Sequence, residues 1–145
     1  MTGVQTCALP ISFGEAKGYT ENGEKVPWAT TLGGTYEHAA AHNNKEPFEL
    51  PKIWTERKSQ LNLSTPYNFV STADIIGGNS GSPVINRQGE LVGIIFDGNI
   101  ESLVLDYTYT DQVSRAVAVH SAGILEALRK VYAANRLVTE LTGKK

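Results

Sequence analysis

Apolar and polar positions change rhythm along the chain, and the changes mark its elements. Through residue 37 the apolar residues are scattered among turn formers. Gly18-Tyr-Thr-Glu-Asn-Gly23 holds an Asn-Gly pair, a strong hairpin signal. Val26 to Thr31 and Gly34-Thr-Tyr36 are β-prone, but Pro27 and Gly33-Gly34 interrupt them. Residues 12–37 therefore read as strands with turns, and His38 to Glu49, which is polar, as loop. Pro51 to Leu61 suits a short helix with a proline near its first turn. Ile53, Trp54 and Leu61 supply its apolar side. Phe69-Val70 opens another strand.

The second half is more regular. Pro83-Val-Ile-Asn86 and Glu90 to Phe96 flank Arg87-Gln88-Gly89, a hairpin with Gly89 at positive φ. Leu91 to Phe96 is apolar at both parities and reads as a strand buried on both faces. Leu103 to Thr110 and Ser114 to His120 continue the β pattern. From Ser121 the period lengthens. Ile124, Leu125, Leu128, Val131, Tyr132 and Val138 recur mostly at three- and four-residue steps. That predicts one amphipathic helix within 121–141, packed on the sheet and N-capped by Ser121.

Composition narrows the classes. The 145 residues fit one domain. With 41% hydrophobic and 19% charged residues, the chain is not a disordered tail. The net charge is −2 and no Lys/Arg run exists, which argues against nucleic acid as a partner. No apolar run approaches the ~20 residues of a membrane helix. A single cysteine excludes an internal disulfide and a cysteine metal cage, and no metal or cofactor is implied. That cysteine, Cys7, lies in the uncharged stretch Met1 to Ile11, which also holds the only methionine. The stretch lacks the basic start of a signal peptide. It reads as a translated sequencing-library adapter, with the chain proper beginning near Ser12; the rival reading is a native disordered N-terminus.

The chemistry lies in Gly78-Asn79-Ser80-Gly81-Ser82-Pro83. A serine that attacks an acyl carbon needs its Oγ on a tight turn and backbone N–H groups aimed at the developing oxyanion. Flanking glycines permit that turn, and the amides of Gly78 and Ser80 would be the donors. The α/β-hydrolase elbow is disfavoured, because Ser82 stands where its last glycine would be and a strand follows. Taken alone, the hexapeptide is equally a plain glycine-serine turn. Its context raises it: strands flank it, and Asp97-Gly98-Asn99 follows some eighteen residues after Ser80, at the spacing of a primary-pocket wall in chymotrypsin-like proteases.

At these residues the chain resembles the bacterial dipeptidyl-peptidase 7/11 family. The matching stretches are Ser71 to Val84, Phe96-Asp-Gly-Asn99 and Arg115-Ala-Val-Ala-Val-His-Ser-Ala-Gly-Ile-Leu125. Gly18-Tyr-Thr and Thr31 to Glu37 fit the start of the same barrel. The resemblance implies a serine exopeptidase with a chymotrypsin-like double β-barrel and an inserted helical domain. Residues 12–120 would be its second barrel, in a mainly-β fold, with Ser80 the nucleophile. The catalytic His and Asp would lie in the first barrel, outside this chain. His38 and His42 match no catalytic histidine and read as surface residues, and His120 as structural. The chain is then a fragment without its base, and a serine without a base is a poor nucleophile. Its partners would be a peptide substrate and the first barrel and helical domain of the same enzyme. Homodimers are common in the family, and the implied compartment is periplasmic or secreted.

Specificity residues follow from the same comparison. In the family an Arg at position 98 accompanies preference for Asp or Glu, since guanidinium pairs with carboxylate. Gly98 instead leaves an uncharged volume near Phe96, implying an apolar or broad pocket; it equally suits a turn. Asp97 is a candidate for the substrate's N-terminal ammonium, or a turn-capping residue. Asn99 and Glu101 are candidates for the rim. Asp74 is either a pocket-floor acid, as in trypsin-like enzymes, or a buried structural carboxylate. The rivals to the exopeptidase are a chymotrypsin-like endopeptidase lobe and a non-catalytic β-barrel binding module.

Overall fold

A computed structural model describes residues 11–143. The adapter reading falls on Met1 to Ile11, of which residues 1–10 lie outside the described residues. Seven strands and four helices follow in chain order: β1 Tyr19–Glu21, β2 Glu24–Val26, β3 Ala29–Thr31, α1 Leu32–Ala41, α2 Lys52–Arg57, β4 Pro66–Ser71, β5 Pro83–Ile85, β6 Leu91–Gly98, β7 Ala116–His120, α3 Ser121–Glu126 and α4 Asn135–Thr142. β1 and β2 form the expected hairpin, with Asn22 and Gly23 at φ 50° and 85°. The other five strands make one antiparallel sheet in the order β3-β4-β7-β6-β5. The expectation was a mainly-β lobe with a short helix near 51–61 and a C-terminal helix, and antiparallel sheets with short helices agree with it. The sheet ends at β3 and β5, which do not pair with each other. Residues 15–17 run beside the end of β4 through Lys17 N–H to the Val70 carbonyl, at 3.2 Å, and Thr72 N–H to the Glu15 carbonyl, at 3.0 Å.

Two apolar clusters hold these layers together. Leu32, Tyr36, Leu61 and Val131 pack with Leu50, Trp54 and Tyr67 beneath the helices. Phe69, Ile95, Ala116 and Ala118 pack with Ala73, Ile75, Val84 and Val92 against the sheet. The predicted 51–61 helix is α2, followed by a 3₁₀ turn at Lys58–Gln60. Leu61 is buried there, but Ile53 is 38% exposed.

Several expectations are corrected. Residues 32–41 form α1, not strand and loop. Thr31 caps it, its Oγ1 accepting from the Gly34 amide at 3.2 Å. Leu32, Tyr36 and Ala39 are buried on one face at helical spacing. The Gly33-Gly34 pair hid that period. Leu91–Phe96 is only half buried, since its ends, Leu91 and Phe96, are 54% and 46% exposed. Residues 100–106 form a 3₁₀ helix, not a strand. Both edges of β7 are taken by β4 and β6, and this segment adds to neither edge strand, β3 or β5, despite its β-prone side chains.

The C-terminal helix is two helices. α3 runs into a π-helical turn at Ala127–Val131, where the Tyr132 amide reaches back to the Ala127 carbonyl at 3.0 Å. Ala133 then turns left-handed at φ 52°, and α4 restarts at Asn135. The N-cap of α3 is His120, not Ser121. Among the described residues no helix is long and apolar enough to cross a membrane.

Candidate active site

The serine loop is built on β6. Asn79, 6% exposed, lies beneath it. Its Oδ1 accepts from the Ile76 amide at 3.0 Å, and its own amide donates to the Ile76 carbonyl at 3.1 Å. The Ser82 amide donates to the Asn79 carbonyl at 2.9 Å, closing the turn. Gly81 N–H to the Ile95 carbonyl, at 2.8 Å, and Ile95 N–H to the Ser82 carbonyl, at 3.0 Å, fasten it to the strand. Gly78 and Gly81 sit at φ 100° and 88°, with open space where a Cβ would go. Glycine is required there by the backbone angle, at about 1–2 kcal/mol for any other residue.

Ser80 rides at the top of this turn and is exposed. Its Oγ donates a long hydrogen bond, 3.3 Å, to the Phe96 carbonyl. The amides of Gly78 and Ser80 donate no hydrogen bond among the described residues, and both residues face solvent. An accessible hydroxyl thus stands beside two uncommitted donors, the local requirement for acyl transfer.

The segment after Phe96 is brought to the serine by a bulge. In the pairing with β7, Ile95 faces Ala118 but Asp97 faces Val117, so Phe96 is the extra residue. Bulges re-aim side chains at such sites. Asp97 is exposed, and its Oδ1 accepts from the Gly98 amide at 2.8 Å. No bond to its other oxygen occurs among the described residues, so the carboxylate caps locally and keeps a free acceptor. Gly98 lies in the strand, paired with Ala116, and not at a left-handed turn.

The Asn99 side chain, a rim candidate from the sequence, is engaged within the fold. Its Oδ1 accepts from the Arg115 amide and its Nδ2 donates to the Val113 carbonyl, both at 2.7 Å. It is a clip between the end of β6 and the start of β7. Asp74 is exposed, and no side-chain hydrogen bond to it occurs among the described residues, so the buried structural reading is withdrawn.

The histidines stand elsewhere. His38 and His42 group with Phe48, with ring centroids 4.5 Å apart for the two histidines and 3.8 Å for His42 and Phe48. His120 lies edge-on to Phe69 at 5.6 Å, and its Nδ1 accepts from the Ala122 amide at 3.1 Å. Burial pushes its pKa below the ordinary 6.5. None of the three hydrogen-bonds Ser80 among the described residues. A surface hollow lined by Glu46, Pro47, Glu49, Leu50, Pro51 and Lys52 contains none of the serine-loop residues.

The supporting residue that patterning overlooked is Arg115, 1% exposed. Its guanidinium donates to the carbonyls of Lys17, Gly18, Asp111, Gln112 and Ser114. It also lies over the Tyr19 ring, 5.5 Å from the centroid. The available signal was a lone arginine opening an otherwise apolar strand.

The sequence model of the family described as Peptidase S46 matches residues 5–143. The dipeptidyl-peptidase 7 of Phocaeicola vulgatus is 35% identical over 141 residues, covering 92% of this chain and 20% of that protein. The Asp/Glu-specific dipeptidyl-peptidase of Shewanella putrefaciens is 38% identical over 161 residues, covering 92% and 22%. Among solved structures, Porphyromonas endodontalis DPP11 in complex with the dipeptide Arg-Glu superposes with a TM-score of 0.80 at 27% identity, over 90% of this chain and 20% of that one. The chain therefore spans about a fifth of the length of these relatives.

Proposed function

The chain belongs to the peptidase S46 family, and on that premise we propose that the whole protein is a serine-type dipeptidyl-peptidase whose nucleophile is Ser80. The observation that carries the proposal is the exposed Ser80 hydroxyl on a left-handed glycine turn, next to two amides that donate no hydrogen bond among the described residues. In this reading Ser80 Oγ attacks the second peptide carbonyl of the substrate. The oxyanion is held on the amides of Gly78 and Ser80, and the N-terminal dipeptide remains as an ester until water hydrolyses it. The base that takes the serine proton and passes it to the leaving amine is a His oriented by an Asp. Both come from the part of the relatives' length that this chain does not span.

Residues 12–120 are the second lobe of a chymotrypsin-like pair of barrels, and residues 121–141 pack on it. Asp97 pairs with the substrate's free ammonium through its unengaged oxygen, which makes the enzyme an exopeptidase. Glycine at 98 gives an uncharged pocket wall beside Phe96 and hence an apolar or broad preference, unlike the Asp/Glu-specific relatives. Homodimerisation and a periplasmic or secreted location complete the proposal.

The test uses the full-length enzyme and dipeptidyl-coumarin substrates. Ser80→Ala is expected to lower kcat by about 10³-fold or more. A fluorophosphonate is expected to label wild type at Ser80 and to leave the variant unlabelled. Equal cleavage of N-terminally blocked peptides would replace the exopeptidase reading with an endopeptidase. A wild type that neither turns over nor labels would leave only a binding module.

A further inference from the structure

The space beside Gly98 is occupied. A Cβ built on Gly98 would overlap Ser102 Oγ and lie 3.2 Å from Ser102 Cβ. Ser102 is held in that position twice. Its amide donates to the Asn99 carbonyl at 2.9 Å, and its hydroxyl donates to the same carbonyl at 2.7 Å. Asn99 is itself clipped to Val113 and Arg115. Its amide donates to the Arg115 carbonyl at 2.9 Å, and that carbonyl is also 3.6 Å from the built Cβ. A side chain at position 98 would therefore point into a braced turn, not into open volume.

We propose that Ser102 is a specificity-determining partner of position 98, so that the pair, and not residue 98 alone, sets which substrate side chain is accepted. The proposal rests on the reading of Ser80 as nucleophile and of Gly98 as pocket wall. With Gly98 and Ser102 together, the wall is uncharged and the one hydroxyl has its proton committed to Asn99. It favours neutral side chains. An arginine at 98 cannot enter while Ser102 keeps its rotamer. Turning Ser102 away breaks its bond to the Asn99 carbonyl and loosens the segment that carries Asp97. A guanidinium that selects acidic substrates therefore needs a smaller residue at 102 as well.

The experiment compares Gly98→Arg, Ser102→Ala, Ser102→Gly and the two double variants in the full-length enzyme. Substrates are dipeptidyl-coumarins with Glu, Leu or Ala as the second residue. The quantity read is the ratio of kcat/KM for Glu over Leu. Gly98→Arg alone is expected to raise that ratio little. Adding Ser102→Ala is expected to raise it further, and adding Ser102→Gly by roughly tenfold over the single variant. Ser102→Ala alone is expected to favour Leu over Ala several-fold more than wild type does, which keeps the test readable if the double variants do not fold. The pairing of 98 with 102 is overturned if the double variants show only the product of the single effects, or if Ser102→Ala leaves the Leu-to-Ala ratio unchanged. Fluorophosphonate labelling and dipeptide release by wild type separate the two levels. Failure there removes the reading of Ser80; success there without coupling removes only the role of Ser102.

Discussion

Arg115 has no carboxylate partner among the described residues although it is almost wholly buried. A buried cation is tolerable only when every donor is matched. Here five backbone carbonyls do the matching, from two segments, 17–18 and 111–114. The planar fork of an arginine serves several acceptors at once, and the point charge of a lysine does not. Arg115→Lys is therefore expected to cost about 3 kcal/mol, through carbonyls left buried and unpaired. Thermal unfolding measures that loss. Amide exchange at Asn99 is expected to quicken with it, because that amide donates to the Arg115 carbonyl. An unchanged midpoint would show the arginine to be dispensable. The residue was visible in the sequence, but its role was not: the acceptors it serves are local at 111–114 and nearly a hundred residues away at 17–18.

Elements meet through single groups as much as through apolar faces. His120 ends β7 and caps α3, and its Nδ1 must be unprotonated to accept from the Ala122 amide. Its pKa is lowered by burial, so the neutral ring is the folded form. The stability it contributes is complete above about pH 6.5 and is lost as the pH falls through the lower folded value. His120→Asn keeps an acceptor at the cap and does not titrate. Its unfolding midpoint is expected to change less between about pH 7 and pH 5 than that of wild type. His120→Ala is expected to lose about 1 kcal/mol at neutral pH. Parallel pH curves for wild type and the Asn variant would remove His120 as the titrating group. The expectation of Ser121 as cap came from residue type alone. Which neighbouring side chain turns back onto the helix is decided by the sheet that delivers it.

At the scale of the whole molecule, two acids act on each other between the N-terminal hairpin and the 3₁₀ helix at Ile100–Asp106. The carboxyl of Glu21, in β1, is under the influence of Glu101, in the 3₁₀ helix, whose carboxyl favours a protonated Glu21 as hydrogen-bond partner and whose charge repels a second one. Both effects raise the Glu21 pKa above its ordinary 4.5. Glu101 Oε2 is buried without a partner among the described residues. A raised folded pKa means that the contact is fully stabilising below about pH 4.5 and is lost as the pH rises through the folded value. Glu21→Gln donates a hydrogen bond at every pH. It is expected to slow amide exchange across Tyr19–Val26 at neutral pH and to matter little near pH 4. Equal protection of variant and wild type at pH 7 would show that the two acids do not control the hairpin.

Short-range chemistry was legible in the sequence: both hairpins, with positive φ at Gly23 and Gly89, the tight glycine turn under Ser80, and the strand Ala116–His120. Each depends on residues a few positions apart, where steric limits act directly. Elements that answer to distant partners were not legible. α1 depends on burial of Leu32, Tyr36 and Ala39, against a glycine pair that argues for a turn. Residues 100–106 close into a 3₁₀ helix although their side chains are β-prone, and they pair with no strand of the sheet. Only the tertiary structure decided that Asn99 faces inward as a clip and that Ser102 fills the space beside Gly98. Sequence spacing lists the groups near a site, but packing determines which of them reach it, because hydrogen bonds and van der Waals contact act within a few ångströms whatever the separation along the chain.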